Sequence, residues 1–476
     1  MTDTVQTAGP VDEDVQQEGA SAVLTVVFLC FSGMSVALMQ TLVIPIQSEL
    51  PQLLHTSASN ASWVVTSTLL AAAVAMPIAG RLADLFGKQR VLVGSAVLML
   101  AGSLVAALGG GLVSVLAGRT LQGLAMGFIP VGISLMREVV PPAMATTAVA
   151  AMSATLGVGG AIGLPLAAWI AQDFDWTVLF WVATGLAALV LLGCVFIVPH
   201  VHDAHPASLD IVGAVGLAVG LVTTLVGVSK GNDWGWASGQ TLGCLAGGVV
   251  VLLVWGVYEL RRTDPLCDLR VTSRRPVLLT NLAAIAVGFG MMAQAIVFPQ
   301  LLQSPEETGY GLGQTILAAG LWMAPSGLMM LAFAPVASWL MRTFGAKYAL
   351  ALGGAVLGAG YLVSFFLMSA PWQILLAAIV CSAGVGIGYA AMPTLIMDAV
   401  PMAEAGSAVG INALMRSLGT TSASAVMAAL LTSQTTDLGG MAIPSESAFH
   451  LCFLVAAVAA FVGAALALTI PASRRA

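Results

Sequence analysis

Residues 77–87 read Pro77-Ile78-Ala79-Gly80-Arg81-Leu82-Ala83-Asp84-Leu85-Phe86-Gly87, and residues 335–345 read Pro335-Val336-Ala337-Ser338-Trp339-Leu340-Met341-Arg342-Thr343-Phe344-Gly345. Pro, Ala, Leu, Phe and Gly coincide in register. Each copy closes an apolar run and leads into basic residues, Lys88 and Arg90 after the first and Lys347 after the second. A looser echo at nearly the same spacing relates Leu135-Met136-Arg137-Glu138-Val139-Val140-Pro141 to Ile396-Met397-Asp398-Ala399-Val400-Pro401. The chain is therefore expected to hold two related halves whose helices end at a common level.

The surrounding composition says what those helices lie in. Hydrophobic residues make up 59% of the 476 residues and charged ones 8%, where a soluble domain carries about a quarter charged. Uncharged runs of about 20 residues, long enough to span hydrocarbon, recur from end to end. Bounded by charges, Pro and Gly clusters, helices are expected near 22–46, 60–80, 89–109, 112–135, 146–171, 177–198 and 210–229, then 240–260, 277–302, 313–341, 347–368, 372–397, 405–432 and 449–470. The expected fold is an all-α polytopic membrane protein with a six-helix bundle over 22–198, an inserted two-helix linker over 207–262 and a second six-helix bundle over 275–472. Residues 1–21 are acidic and without Lys or Arg. They lack the basic region of a signal peptide and read as a disordered tail.

Basic residues in short loops stay on the cytoplasmic side. Arg81, Lys88, Arg90, Arg137, Arg261, Arg262, Arg270, Arg274, Arg275, Arg342, Lys347, Arg474 and Arg475 all fall on one side of the expected helices, and Lys230 alone on the other. An even helix count with both termini in the cytoplasm follows, since adding or removing one helix would scatter them. Two parallel halves suit a rocking transporter with its substrate site at mid-depth, in the cell membrane.

The net charge of −6 resides in short loops and gives no nucleic-acid footprint. The six cysteines show no metal-ligand or redox spacing, with Cys267 alone in a basic loop. His200-Val201-His202-Asp203-Ala204-His205 reads as a solvated loop, because alternate histidines in a flexible segment make a poor preformed metal site. Neither a Ser/His/Asp set, nor an H-E-x-x-H stretch, nor a phosphate-binding glycine loop occurs, so no enzymatic activity, metal or cofactor is expected. Gly384, Gly386 and Gly388 suit tight helix contacts.

The stretch Gly80-Arg81-Leu82-Ala83-Asp84-Leu85-Phe86-Gly87-Lys88-Gln89-Arg90, between helices 2 and 3, resembles the signature loop of the major facilitator superfamily. The resemblance implies that the loop latches the two halves and gates the cytoplasmic side. Physically, Gly80 permits close backbone approach, Asp84 suits a helix N-terminus, and Lys88 and Arg90 can pair with it or with nearby carboxylates, or serve topology alone. Arg119-Thr120-Leu121-Gln122 on helix 4 resembles a second family motif, implying a cavity cation for proton coupling or an anionic substrate group; snorkelling to the interface is the alternative. Helix 5, with Gly157, Gly159, Gly160, Gly163 and Pro165, resembles the antiporter motif, although Leu164 separates its Gly and Pro, and Ala167 and Ala168 stand where glycines are usual. On helix 13, Asn412-Ala413-Leu414-Met415-Arg416-Ser417-Leu418-Gly419 is similar to the fourteen-helix drug:proton antiporter branch, which makes Arg416 a second candidate for proton coupling or the cavity, and Trp234-Gly235-Trp236 in the outer loop of the insert fits the same branch.

Helix 1 departs from that branch. Many members carry an Asp two residues before a Thr, whereas this chain reads Leu38-Met39-Gln40-Thr41, and no Asp or Glu falls at mid-depth in any expected helix. Other acidic candidates are Glu49, Glu138 and Asp398. Pocket polarity is expected from Gln40, Thr41, Gln122, Asn281, Gln294 and Asn412, with Met39, Met291, Met292 and Trp322 as an adaptable apolar wall. The resemblance implies a monomeric exporter of amphiphilic drugs or antibiotics, driven by proton influx. The missing carboxylate favours neutral, zwitterionic or anionic substrates over lipophilic cations. A facilitator or importer of a small metabolite is the alternative.

Overall fold

The computed structural model describes residues 10–44, 46–47, 49–200, 208–438 and 441–471. Among them, 14 helices are long and apolar enough to cross a membrane. The first bundle holds α1 (Pro10–Thr41), α2 (Trp63–Phe86), α3 (Lys88–Gly109), α4 (Leu112–Val139), α5 (Pro142–Asp173) and α6 (Val178–Phe196). The inserted pair is α7 (Ile211–Trp234) and α8 (Gly239–Glu259). The second bundle holds α9 (Arg275–Gln303), α10 (Ile316–Phe344), α11 (Ala346–Phe366), α12 (Pro371–Ala399), α13 (Ala405–Ser433) and α14 (Glu446–Leu468). Helices are the natural solution here because every backbone N–H and C=O must find its partner inside the segment that crosses lipid.

The pairing of helices repeats between the bundles. In the first, α1 packs on α5, α3 on α4 and α6, and α2 on α4; in the second, α9 packs on α13, α11 on α12 and α14, and α10 on α12. The bundles meet where α2 crosses α13 and α5 crosses α10. The two copies of the Pro-to-Gly sequence occupy equivalent places, ending α2 and α10. Gly87 has φ 95° and Gly345 has φ 95°, a backbone region that costs a residue with a side chain, so the glycine in both copies has the same steric cause.

Several boundaries differ from expectation. The first helix reaches back to Pro10; residues 10–21, read above as part of a disordered tail, are helical because no proline interrupts them, while residues 1–9 lie outside the described residues. At its other end α1 stops at Thr41 rather than 46, since Pro45 disfavours helix in the residue before it. The continuous helices expected over 112–135 and 313–341 are interrupted, α4 by a 3-10 turn at Ala125–Gly127 and α10 at Phe333. A short antiparallel ladder, β1 (Thr435–Leu438) with β2 (Met441–Pro444), joins α13 to α14, an exception to the all-α expectation.

The insert is not a detached linker. Leu217, Leu221 and Leu225 of α7 form one apolar cluster with Leu70 and Ala73 of α2, Ile411 and Leu414 of α13, and Leu266 and Cys267 of the following loop. Helix α7 thus covers the seam between the bundles, and α8 packs on α7. The isolated Lys230 is 2% exposed. Its Nζ bonds to Ser62 Oγ at 2.6 Å and to Asp233 Oδ2 at 3.0 Å and lies over the Trp63 ring, which explains a cation at the sparsely charged end.

Candidate functional site

Asp84 is 6% exposed at the basic end of α2. Its Oδ1 accepts from the Gly406 amide at 3.0 Å and its Oδ2 from the Ser407 amide at 2.7 Å. Those amides open α13 and have no partner within their own helix, so the carboxylate satisfies two orphan donors and meets the positive end of the helix dipole. Small residues make the approach possible, because a Cβ on Gly80 would strike the Gly406 backbone and one on Gly406 would strike Asp84 Oδ1. Arg81 is half-buried, and its Nε has no hydrogen-bond partner among the described residues. Lys88 pairs with Glu138 at the basic end of α4, within the first bundle, not with Asp84. Arg90 is exposed.

Two further bonds join the bundles at the same level. Arg137 Nη2 lies 3.3 Å from Asp398 Oδ1, and Thr147 Oγ1 lies 2.8 Å from Ser338 Oγ. With the bonds of Asp84, they join the two bundles at the basic face of the molecule.

Deeper between the bundles lies a cavity of about 190 Å³. Gln40 and Thr41 of α1 and Ile44 just past its end, with Gly157, Gly160 and Leu164 of α5, form one wall; Met291 and Gln294 of α9, Met323, Ser326 and Met330 of α10, and Ser382 of α12 form the other. Among the described residues, no Asp, Glu, Lys, Arg or His lines it. Gln294 is oriented by its own amide, which donates to Ser382 Oγ at 3.0 Å and to the Ala378 carbonyl at 3.4 Å. Pockets for drug-sized ligands measure about 300–1,000 Å³, so the flexible methionines must yield to admit one.

Among the residues expected at the pocket, Gln40, Thr41, Met291 and Gln294 line it. Met39 is 3% exposed and lies off the wall. Trp322 also lies off the wall, its Nε1 donating to Gln314 Oε1 at 3.2 Å. Asn412 Nδ2 donates to Asn281 Oδ1 at 3.0 Å, and Asn281 faces a hollow at the basic face instead. Ser382, Ser326 and Met330 were not singled out; the rule that flexible Met fills adaptable sites reaches Met330, whereas a lone serine on a buried helix carries little signal.

The two arginines expected to serve the cavity are committed elsewhere. Arg119 is 1% exposed inside the first bundle, donating through Nη1 to the Met39 carbonyl and to Gln122 Oε1, both at 2.9 Å, with the Gln40 and Val64 carbonyls at 3.5 and 3.4 Å. Met39 and Gln40 belong to the last turn of α1, whose carbonyls lack helical partners and carry the negative end of the dipole. Arg119 is thus a buried cap on α1 that needs no carboxylate. Gln122 passes the network on to Ser103 Oγ at 2.9 Å. Arg416 donates to Asn412 Oδ1 at 2.9 Å and stacks over Tyr389, 4.9 Å from the ring centre.

The glycines of α5 point in different directions. A Cβ on Gly159 would lie 2.5 Å from Ala37 Cβ, and one on Gly163 would strike Thr41, so both fit α5 closely to α1. Gly160 faces open space, with Thr41 Cγ2 at 4.0 Å. Pro165 lies within an uninterrupted α5. His200 Nδ1 lies 2.5 Å from Gln89 Oε1, while His202, Asp203 and His205 fall outside the described residues.

Two matching six-helix bundles that enclose a central cavity and lock together on one side of it define a membrane transporter. The Major Facilitator Superfamily profile matches residues 29–424 and, over the second half, 282–476, and the chain belongs to that superfamily. It is 28% identical over 428 residues to the tetracenomycin C resistance and export protein of Streptomyces glaucescens, covering 87% of this chain and 77% of that protein. It is 27% identical over 391 residues to a probable actinorhodin transporter of Streptomyces coelicolor, covering 79% of this chain and 66% of that one. It is also 22% identical to the multidrug transporter protein MdtP of Bacillus subtilis, covering 80% and 70%. The chain spans 62% of the length of another Bacillus subtilis relative and 58% of a Mycobacterium tuberculosis one. Among solved structures, the proton:xylose symporter XylE aligns with TM-score 0.67 at 14% identity over 95% of this chain and 96% of its own. The human organic anion transporter MFSD10 aligns with TM-score 0.65 at 16% identity over 94% and 99%.

Proposed function

We propose that this protein exports amphiphilic, uncharged drugs or antibiotics across the cytoplasmic membrane by alternating access, exchanging them for incoming protons, with its basic face and both termini in the cytoplasm. The observation that carries the reading is the cavity: apolar, methionine-walled, furnished with neutral hydrogen-bonding groups at Gln40, Thr41, Gln294 and Ser382, and free of charged side chains. Such a wall binds apolar bodies with a few polar atoms and offers no counter-ion to a cation or an anion. The names of the relatives, antibiotic exporters and multidrug transporters, support the direction. On this reading Asp84, Arg137 and Asp398 hold the cytoplasmic side shut in the described state, and Gly159 and Gly163 keep α5 tight against α1 through the cycle. A single polypeptide contains both bundles, so one copy suffices.

A second reading, a facilitator or importer of a neutral metabolite, is favoured by one observation, the lack of any acidic residue on the cavity wall. Purified protein in liposomes separates the two. Under an imposed pH step, exchange predicts uphill movement of a neutral amphiphilic antibiotic with matching proton flux. Downhill movement with no proton flux establishes the facilitator.

A further inference from the structure

Neither the cavity nor the latch uses the acidic pair on the insert. Asp210 caps α7 and is 3% exposed; Glu259 ends α8 and is 1% exposed. A Cβ on Gly213 would collide with both Glu259 Oε1 and Asp210 Oδ2, so the two carboxyls border one small volume that only glycine leaves open. Asp210 Oδ1 is well held, accepting from the Gly213 amide at 2.9 Å and from the Tyr258 hydroxyl at 3.0 Å. Its Oδ2 has only the Arg262 guanidinium, 3.5 Å away and 46% exposed. Neither oxygen of Glu259 meets a donor in good hydrogen-bond geometry: the Cys267 and Leu266 amides and the Trp255 indole N–H lie against the carboxyl but are poorly aimed at it.

An ionised carboxylate buried among poorly aimed donors is costly, and two carboxyls at one site resolve the conflict by sharing a proton, the neutral one donating to the charged one. The Oδ2 of Asp210, which accepts no well-formed hydrogen bond, is an acceptor suited to a protonated Glu259. The other groups facing this site are few: Tyr258 and Arg262 from the insert, Cys267 from the loop that follows it, and Arg81 of α2 beyond Cys267.

That loop leads to the gate. Glu259 sits against the backbone of Leu266 and Cys267, which are 1% and 2% exposed in the apolar seam. The Leu266 carbonyl accepts from Ser407 Oγ at 3.3 Å, and the Ser407 amide donates to Asp84 Oδ2. A hollow of about 190 Å³ on the other side of the loop, bordered by Arg81, Asp84, Asp264, Asn281 and Ser407, gives it room to move. We propose that Asp210 and Glu259 form a proton-binding site on the inserted hairpin, and that loss of its proton expels Glu259 from the seam, lifts the Leu266–Cys267 loop off α13 and frees the Asp84 latch. The inference rests on the reading of Asp84 as a gate and gives the insert a role, that of reporting proton availability at the basic face to the gate.

Hydrogen–deuterium exchange on the full-length protein in detergent, corrected for intrinsic rates from about pH 5 to about pH 9, tests it without transport, since a single linked proton changes the opening equilibrium by at most about tenfold per pH unit. Peptides over 262–272 and 402–412 of the wild type should lose protection as pH rises, approaching that slope. In Glu259→Gln, which is neutral at every pH, both should stay protected throughout. Parallel profiles in the two proteins overturn the proposal, and so does a flat wild-type profile, which decides the matter even if the variant does not fold. Asp84→Asn is the control: if it leaves 402–412 unchanged, the gate reading fails separately.

Discussion

Replacing Asp84 with Asn keeps the shape of the latch and removes its charge. The remaining amide oxygen accepts from only one of the Gly406 and Ser407 amides, while the new NH2 group faces the other, donor against donor. Hydrogen bonds to a charged acceptor contribute about 1.5–3 kcal/mol each, and the α13 dipole adds about 0.3–2 kcal/mol. Losing one such bond and the charge–dipole attraction costs the closed arrangement about 2–5 kcal/mol, which at 1.4 kcal/mol per decade moves the equilibrium by about 30-fold to several-thousand-fold. Spin labels at Arg90→Cys and Tyr348→Cys, both exposed at the basic face of opposite bundles, report this in a background without the six native cysteines. Pulsed dipolar spectroscopy should give one short distance for the parent and a dominant longer one for Asp84→Asn. Superimposable distributions would show that the carboxylate does not hold the bundles.

Other expectations follow from particular contacts. Arg119→Ala leaves the Met39 carbonyl and the Gln122 amide oxygen unpartnered and should lower unfolding stability by about 3 kcal/mol or more, read as thermal unfolding in detergent; Arg119→Lys should recover part of it, and an unchanged midpoint for the alanine variant rules out the capping role. Gly159→Leu should destabilise strongly where Gly160→Ala is tolerated, because only the former meets α1; equal melting curves would mean that the α1–α5 register is different. Gln294→Glu places a carboxylate on an uncharged wall and should confer ethidium efflux on cells, and no gain would count against this cavity as the binding site. Burial, reinforced by the neighbouring Glu259 and opposed by Arg81, pushes the Cys267 thiol above its ordinary range. Its thiolate is therefore scarce at neutral pH, and N-ethylmaleimide should label a Cys267-only variant slowly there and faster in Asp84→Asn; labelling at the rate of an exposed cysteine would show that the loop is not seated.

The fold was legible because hydrophobic runs and the one-sided placement of Arg and Lys are properties of the chain itself. Interruptions such as Ala125–Gly127 were not, since no proline or charge marks them and the close approach of Gly127 to Ala79 arises only when α4 meets α2. At the cavity, residue type was a good guide and angle was not. Met39 and Gln40 are adjacent in sequence but about 100° apart around a helix, so Gln40 lines the pocket while Met39 is buried away from it. Asn281 and Asn412 are as polar as Gln294, but Asn412 is committed to Asn281 and Arg416, away from the pocket. The acidic pair of the insert escaped notice because Asp210 and Glu259 stand at helix ends, Glu259 just before Arg261 and Arg262, where a solvated surface charge is the ordinary explanation; what distinguishes them is burial, which depends on how α8 folds back on α7.

The bridge between Arg137 and Asp398 has a consequence for how such a molecule could arise. The two residues stand at matching points of the Met136-Arg137 and Met397-Asp398 echo. Freshly duplicated halves would set Arg against Arg, or Asp against Asp, and repulsion would prise that end apart. The attraction therefore needed one copy to reverse its sign, just as Asp84 and Arg342 now differ. Divergence between twins, more than their likeness, is what lets this end of the molecule lock.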